Sequence, residues 1–221
     1  MKRLLDLILS IMAFTLILPL MIPVMLILRF TGEGEVFYLQ QRVGKSGKNF
    51  GLMKFATMVK NSPNVGGGLL TQKNDPRILP FGKFLRKTKI NELPQLINII
   101  KGEMSIVGPR PQAVKHFEVF PEHVKKEIIT LTPGLTGIGS IVFRDEETIL
   151  HESGRPYDDF YNNVIAPYKG ELEIWYKKNQ SMILDLKLIF LTAWIILSPK
   201  SSLYKKILKN LPAVPLELKL Y

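Results

Sequence analysis

The longest apolar run of the chain covers residues 4–28, with Asp6 as its one charge. That length suffices to cross a bilayer, for which about 20 apolar residues are needed. Two features predict a different course. Pro19 and Pro23 lie inside the run, and each removes a helix hydrogen bond and crowds the preceding turn, so a kink or break is expected there. Lys2 and Arg3 precede the run, and Arg29 and Arg42 follow it. Basic residues at both ends draw both flanks to the cytoplasm. The pattern therefore predicts a re-entrant helix over residues 1–30 that enters and leaves by one face, its freed carbonyls satisfied within the protein. A cleaved signal is not expected, because charged Arg29 and Glu33 follow the run in place of a small-residue cleavage site.

Beyond Gly32 and Gly34 the pattern shortens. Residues 36–40 and 49–57 read as strands around the turn RVGKSGKNFG. Gly44-Lys45-Ser46 in that turn is not a phosphate loop, since the fingerprint needs a glycine where Leu39 stands. Residues 61–75, with Gly66, Gly67 and Gly68, predict a mobile loop. An amphipathic stretch at 81–87 follows, with Phe81, Phe84 and Leu85 on one face and Lys83, Arg86 and Lys87 on the other. A helix is expected over 92–101, with Pro94 in its first turn and Gly102 at its end, and a polar surface helix over 112–130. The apolar stretch 181–197 carries Asp185 and Lys187. It reads as an interfacial helix anchored by Trp175, Tyr176 and Trp194, with a buried core helix as the competing reading. The fold class is α/β and α-rich: a re-entrant membrane helix at 1–30, a small α/β domain at 31–200 with amphipathic interfacial helices, and a tail at 201–221.

Charge and composition narrow the partners. The 221 residues hold 30 Lys and Arg against 19 acids, a net charge of +11, which suits an anionic partner. The apolar N-terminal run favours lipid and phosphate over nucleic acid, and the aromatics lie in apolar segments, not among basic residues where bases would stack. No cysteine is present, so disulfides and thiolate metal sites are excluded. His116, His123 and His151 are scattered and read as ordinary surface or packed residues.

Candidate chemistry concentrates at 87–111, KTKINELPQLINIIKGEMSIVGPRP. Phosphoryl transfer needs positioning, positive charge on the non-bridging oxygens and a divalent cation held by carboxylate. Glu92 stands at a helix start, where negative charge is favoured. Arg110, between Pro109 and Pro111, can present its planar fork to a pyrophosphate, Gly108 permits close backbone approach, and Arg86 and Lys87 add charge. Each also has an ordinary use: Asn91 as a helix cap, Glu92 as a first-turn acid, Gly-Pro-Arg-Pro as a rigid turn.

In their order, these residues resemble the bacterial sugar transferase family, the monotopic phosphoglycosyl transferases. Further matches are Gln40-x-Arg42-x-Gly44, Lys54-Phe55, Thr57-Met58, Pro133-Gly134-Leu135-Thr136-Gly137, and the closing Trp175-Tyr176, Asn179, Ser181 and Leu184-Asp185-Leu186-Lys187. The resemblance spans about residues 2–197. It implies transfer of a sugar phosphate from a nucleotide-sugar, a uridine diphosphate sugar by the same resemblance, to polyprenyl (undecaprenyl) phosphate. It also implies a place on the cytoplasmic face of the bacterial inner membrane, Mg²⁺ or Mn²⁺ linked to Glu92, contact with anionic lipid and cooperation with downstream glycosyltransferases. The chain departs from the family at two places. Asn91-Glu92 replaces an Asp-Glu pair whose Asp is the nucleophile, and Ile138-Gly139-Ser140-Ile141 replaces Trp-Ala-Gln-Val. A carboxamide is a poor nucleophile. Three readings stay open: an inactivated Asp-to-Asn form; a divergent active branch using Glu92, or a carboxylate among Asp145, Glu146 and Glu147 beside Arg144; or a protein that binds nucleotide-sugar or scaffolds a partner enzyme without turnover.

Overall fold

A computed structural model of the chain describes residues 1–64, 75–199, 201–218 and 220, arranged as two compact units. The glycine run 66–68, expected in a mobile loop, lies outside the described residues. The first unit comprises residues 1–41 and 50–102, the second 42–49 and 103–221.

Helix α1, Lys2–Phe30, dominates the first unit and runs unbroken through Pro19 and Pro23. Of the kink or break expected there, the break is absent. Proline's fixed φ suits a helix interior, so each ring removes one hydrogen bond while the neighbouring turns hold. Met21, Val24 and Leu28, at helical spacing, are buried against Phe55 and Leu85. At the other end, the Arg3 guanidinium donates to the carbonyls of Ile99 and Ile100 at 2.6 and 2.8 Å. These belong to helix α3, Gln95–Lys101, whose last carbonyls lack partners within the helix and attract a cation. Both ends of α1 are thus docked on one unit, while Leu4, Met12, Leu16, Leu20 and Leu26 stay exposed.

Strands β1, Phe37–Val43, and β2, Asn49–Phe55, pair in a two-stranded sheet, close to the expected positions. Asn98 of α3 acts as a further partner for β2. Its amide donates to Gly51 O at 2.8 Å and accepts from Met53 N–H at 2.9 Å. Helix α2, Pro80–Lys87, follows the expected amphipathic stretch, with Leu85 buried. A Cβ at Gly82 would collide with the Thr57 carbonyl.

In the second unit, strands β3, Ser105–Val107, and β4, Gly134–Thr136, lie parallel, Ser105 beside Gly134 and Val107 beside Thr136. The helix expected over 112–130 is two, α4, Val114–Glu118, and α5, Glu122–Ile128. Pro121 disfavours helical backbone at the residue before it. Nor is the stretch only a polar surface: Phe117, Phe120, Val124 and Ile128 are buried. Short helices α6, Ile138–Val142, α7, Glu146–Glu152, and α8, Tyr157–Phe160, lead through a π-turn to α9, Ala166–Asn179, α10, Met182–Leu197, and α11, Leu203–Ile207. One core joins β3, α5, α6, α9 and α10, and takes in Tyr204, Leu208 and Leu218.

Tyr176 is 1 % exposed, so it is not an interfacial anchor. Its hydroxyl donates to Asp185 of α10 at 2.7 Å, which fixes the α9–α10 elbow, and Ser181 caps α10 by accepting from Leu184 N–H at 3.2 Å. Helix α10 has one buried and one exposed apolar face. Leu184, Leu188, Leu191 and Ile195 face the core; Ile183, Leu186, Phe190, Trp194 and Leu197 are exposed.

Gly108 and Gly134 meet backbone to backbone, and a Cβ at Gly134 would collide with Gly108 N. Gly134→Ala should therefore lower stability by about 3 kcal/mol, a strong overpacking effect. Gly51→Ala, whose Cβ would meet only Leu39 at 3.6 Å, should change little. Thermal melting of both variants checks this.

Candidate active site

The first unit presents Asn91 and Glu92 on a short 3₁₀ turn, Ile90–Glu92, that the sequence pattern had placed at a helix start. α3 begins only at Gln95, with Pro94 as its N-cap residue, so the expected helix over 92–101 is shortened. Ahead of the turn, Lys89 has φ 62°, the left-handed region that a residue with a Cβ adopts at a cost. Asn91 is 6 % exposed and makes no capping bond. Its carbonyl oxygen Oδ1 is buried without a hydrogen-bond partner. The capping role open to Asn91 is therefore not the one it plays. Glu92 beside it is half-buried. Arg86, half-buried, and Lys87, exposed, close α2 a few residues upstream.

The second unit holds the Gly108–Pro111 turn by bonds along its backbone. Gly108 N–H donates to Thr136 O at 2.9 Å, and Pro109 O accepts from Gly134 N–H at 2.8 Å. Gln112 Nε2 donates to Arg110 O at 3.1 Å, and Gln112 O accepts from Val43 N–H at 2.9 Å. The close approach expected at Gly108 is real, but it is made to the protein's own backbone. Thr132 and Gly134 fill the space a side chain would take. With its N–H donated to Thr136, Gly108 shapes the turn. Pro109 and Pro111 are buried, and the Arg110 side chain is exposed.

Below this turn lies a charged cluster. Glu173 of α9, 5 % exposed, accepts the backbone N–H groups of Arg110 and Gly139, while its Oε2 is without a partner. Burial pushes its carboxyl up to about 7, against the pull of Lys169 and the two N–H groups. Lys169 Nζ lies 2.5 Å from Glu146 Oε2 and sits over the rings of Phe143 and Tyr161 at 5.1 and 5.4 Å. His116 packs on Tyr161 with ring centres 5.2 Å apart; burial, then Arg42, hold its imidazole below its usual range. Among the secondary candidates, Glu146 is thus neutralised by Lys169, Asp145 is an exposed residue preceding α7, and Arg144 is half-buried. Among the described residues no group of three or more His, Asp or Glu is arranged to hold a metal by itself.

The candidate residues of the 87–111 segment thus fall mainly on one tightly bonded turn and one strained turn. The Bacterial sugar transferase family, by its sequence model, matches residues 1–199. The chain belongs to this family. It is 36 % identical over 211 residues to an undecaprenyl-phosphate galactose phosphotransferase of Salmonella typhimurium, covering 89 % of this chain and 40 % of that protein. It is 34 % identical over 198 residues to a UDP-glucose:undecaprenyl-phosphate glucose-1-phosphate transferase of Klebsiella pneumoniae, covering 87 % and 39 %. With the exopolysaccharide production protein ExoY of Sinorhizobium fredii it shares 34 % over 205 residues, covering 86 % and 83 %. The chain thus spans about two fifths of the first two relatives and most of the third.

The sequence reading missed Glu173, Lys169 and the need for glycine at 139. A signal was available. Lys169, Glu173 and Tyr176, at i, i+4 and i+7, share a helix face with the apolar Leu172, a pattern that buries charge.

The raised Glu173 carboxyl makes stability depend on pH. An ordinary glutamate ionises near 4.5, so between there and about 7 the folded chain holds one proton more than the unfolded chain. This group's contribution is full below about 4.5 and declines as pH rises to about 7. Glu173→Gln removes the decline. Its melting temperature relative to the parent should rise steadily between pH 5 and pH 7.5.

Proposed function

We propose that the chain transfers a sugar 1-phosphate from a nucleotide-sugar, a UDP-sugar by analogy with its relatives, to undecaprenyl phosphate. The family match across residues 1–199 carries this reading, and relatives bearing that activity in their names support it. In the direct form of the reaction, an oxygen of the lipid phosphate attacks the β-phosphorus. The bond from that phosphorus to the bridging oxygen breaks, and nucleotide monophosphate leaves with the electron pair. The alternative form inserts an enzyme-bound phosphosugar, with Glu92 as the attacking carboxylate. Asn91 is excluded from that part because an amide nitrogen is a feeble nucleophile.

The buried, partnerless Oδ1 of Asn91 next to Glu92 fits a hard cation. Mg²⁺ is typically held by one or two carboxylates together with substrate phosphates, so a dedicated acidic cluster is not required. Glu92 and Asn91 would hold Mg²⁺ or Mn²⁺, which supplies neutralisation of the diphosphate. Arg86 and Lys87 of the same unit add positive field, and Arg110 of the second unit carries a planar fork suited to a diphosphate.

The geometry of α1 supports a monotopic arrangement. At about 1.5 Å per residue, its 29 residues extend about 43 Å, yet Arg3 and Leu28 are both tied to one folded unit. A helix docked at both ends on the same unit does not deliver its ends to opposite faces, which supports the monotopic reading. The exposed apolar faces of α1 and α10 then rest in lipid, on the cytoplasmic side of the inner membrane, where anionic headgroups meet the basic surface.

Purified chain incubated with a panel of UDP-sugars, Mg²⁺ and undecaprenyl phosphate should release UMP; none across the panel would end the enzyme reading. Glu92→Gln should cut turnover at least about a hundredfold, as loss of a general catalytic group does, with nucleotide affinity largely kept. Asn91→Asp should do little or harm. A steep gain with a trapped phosphosugar adduct would instead assign the nucleophile to position 91.

Topology is tested separately. Lys2→Cys and Lys48→Cys should both react with a membrane-impermeant thiol reagent only from the cytoplasm. Labelling of Lys2→Cys from outside would mean a full span.

A further inference from the structure

We propose that Glu173 is a positioning residue for Arg110: its buried carboxyl accepts the backbone N–H groups of Arg110 and Gly139 and so holds the turn that aims the Arg110 fork at a diphosphate. The proposal rests on the reading of Arg110 given above. Three observations carry it. The acceptor lies beneath the turn, lining a small cavity with Pro109, Arg110, Gln112, Gly139 and Lys169. It is buried in a place where a carboxyl is costly unless bonded, and its two N–H donors come from the Pro109–Pro111 turn and from the first turn of α6. Finally, a Cβ at Gly139 would lie 2.5 Å from Glu173 Oε1. Glycine at 139, one of this chain's departures from the family pattern, is what leaves room for the glutamate.

The electrostatic surroundings of Glu173 are defined on every side. Lys169 and Tyr176 share its helix; Lys169 is bonded to Glu146 of α7, and Tyr176 to Asp185 of α10. Helix α5 directs His123 and Glu127 to Glu171 and Lys177. Helix α6 and the Pro109–Pro111 turn contribute the N–H groups, and Arg110 the nearest guanidinium on that turn. Ionisation of Glu173 as pH passes neutrality strengthens both N–H bonds, because a carboxylate accepts more strongly than a neutral carboxyl.

UDP binding to the full-length chain in detergent with Mg²⁺, followed by calorimetry, tests the proposal. Arg110→Ala should weaken UDP about tenfold, the scale of one charge-assisted bond. Glu173→Leu and Gly139→Ala should each cause a similar loss by releasing the turn, and neither should add to Arg110→Ala in the double variant. Glu173→Gln keeps an acceptor oxygen and should weaken UDP less than Glu173→Leu. Between pH 6 and pH 8, affinity should rise more for the parent than for Glu173→Gln, a comparison that cancels the titration of UDP itself. If Arg110→Ala binds UDP normally, the Arg110 reading falls and the proposal with it. If Arg110→Ala weakens binding but Gly139→Ala and a folded Glu173→Leu do not, or if the losses add, the positioning role alone is overturned. Should Glu173→Leu not fold, Gly139→Ala and the pH comparison decide.

Discussion

The second unit depends on two backbones meeting where no side chain can stand. Gly108 and Gly134 approach so closely that a Cβ on either would strike the other strand or its neighbours. The parallel pair β3–β4 forms on that contact, and the Gly-Pro-Arg-Pro turn leaves it with its amides and carbonyls already paired. Two prolines then narrow what the backbone of Arg110 can do. The rigidity of the turn therefore arises below Arg110, and its long flexible side chain emerges from a fixed base. Tyr176, whose hydroxyl donates to Asp185 of α10, extends the support by packing that hydroxyl 3.4 Å from Val107 O of the turn's strand.

The first unit follows the opposite principle. Its key turn, Ile90–Glu92, begins from a left-handed lysine and leaves a buried amide oxygen without a partner. Both features are costly, and a fold keeps them only when the surroundings impose them. Those surroundings include the buried Leu85, with Ile90 and Leu93 packed against the same small cluster as Leu28 of α1. A polar pair, Asn91 and Glu92, is thus set on a turn whose apolar neighbours are shared with α1.

Much of this was legible in the sequence because the motifs are punctuated by glycine and proline, which constrain the backbone wherever they occur. Gly102 ends α3 as read, in the left-handed conformation, and the strands fall within a few residues of their expected places. What escaped was tertiary. The prolines of α1 predicted a kink or break, but a stripe of Met21, Val24 and Leu28 packed on Phe55 and Leu85 favours a continuous helix. Tyr176 read as an interfacial aromatic because a tyrosine's hydropathy does not say whether its hydroxyl will find an aspartate. Glu173 went unnoticed because local pattern does not show that amides of Arg110 and Gly139, distant in sequence, await it.

Arg3 sets a condition on how the chain is made. Its partners, the carbonyls of Ile99 and Ile100, lie 96 and 97 residues later. At ribosomal speeds of about 5–20 residues per second, the apolar helix emerges several seconds before the helix that its first turn will cap. During that interval the Arg3 guanidinium is without the two carbonyls that hold it in the folded unit. Seating the anchor and completing the Asn91–Glu92 segment are thus steps of one assembly, and grafting the segment onto another membrane helix would separate them.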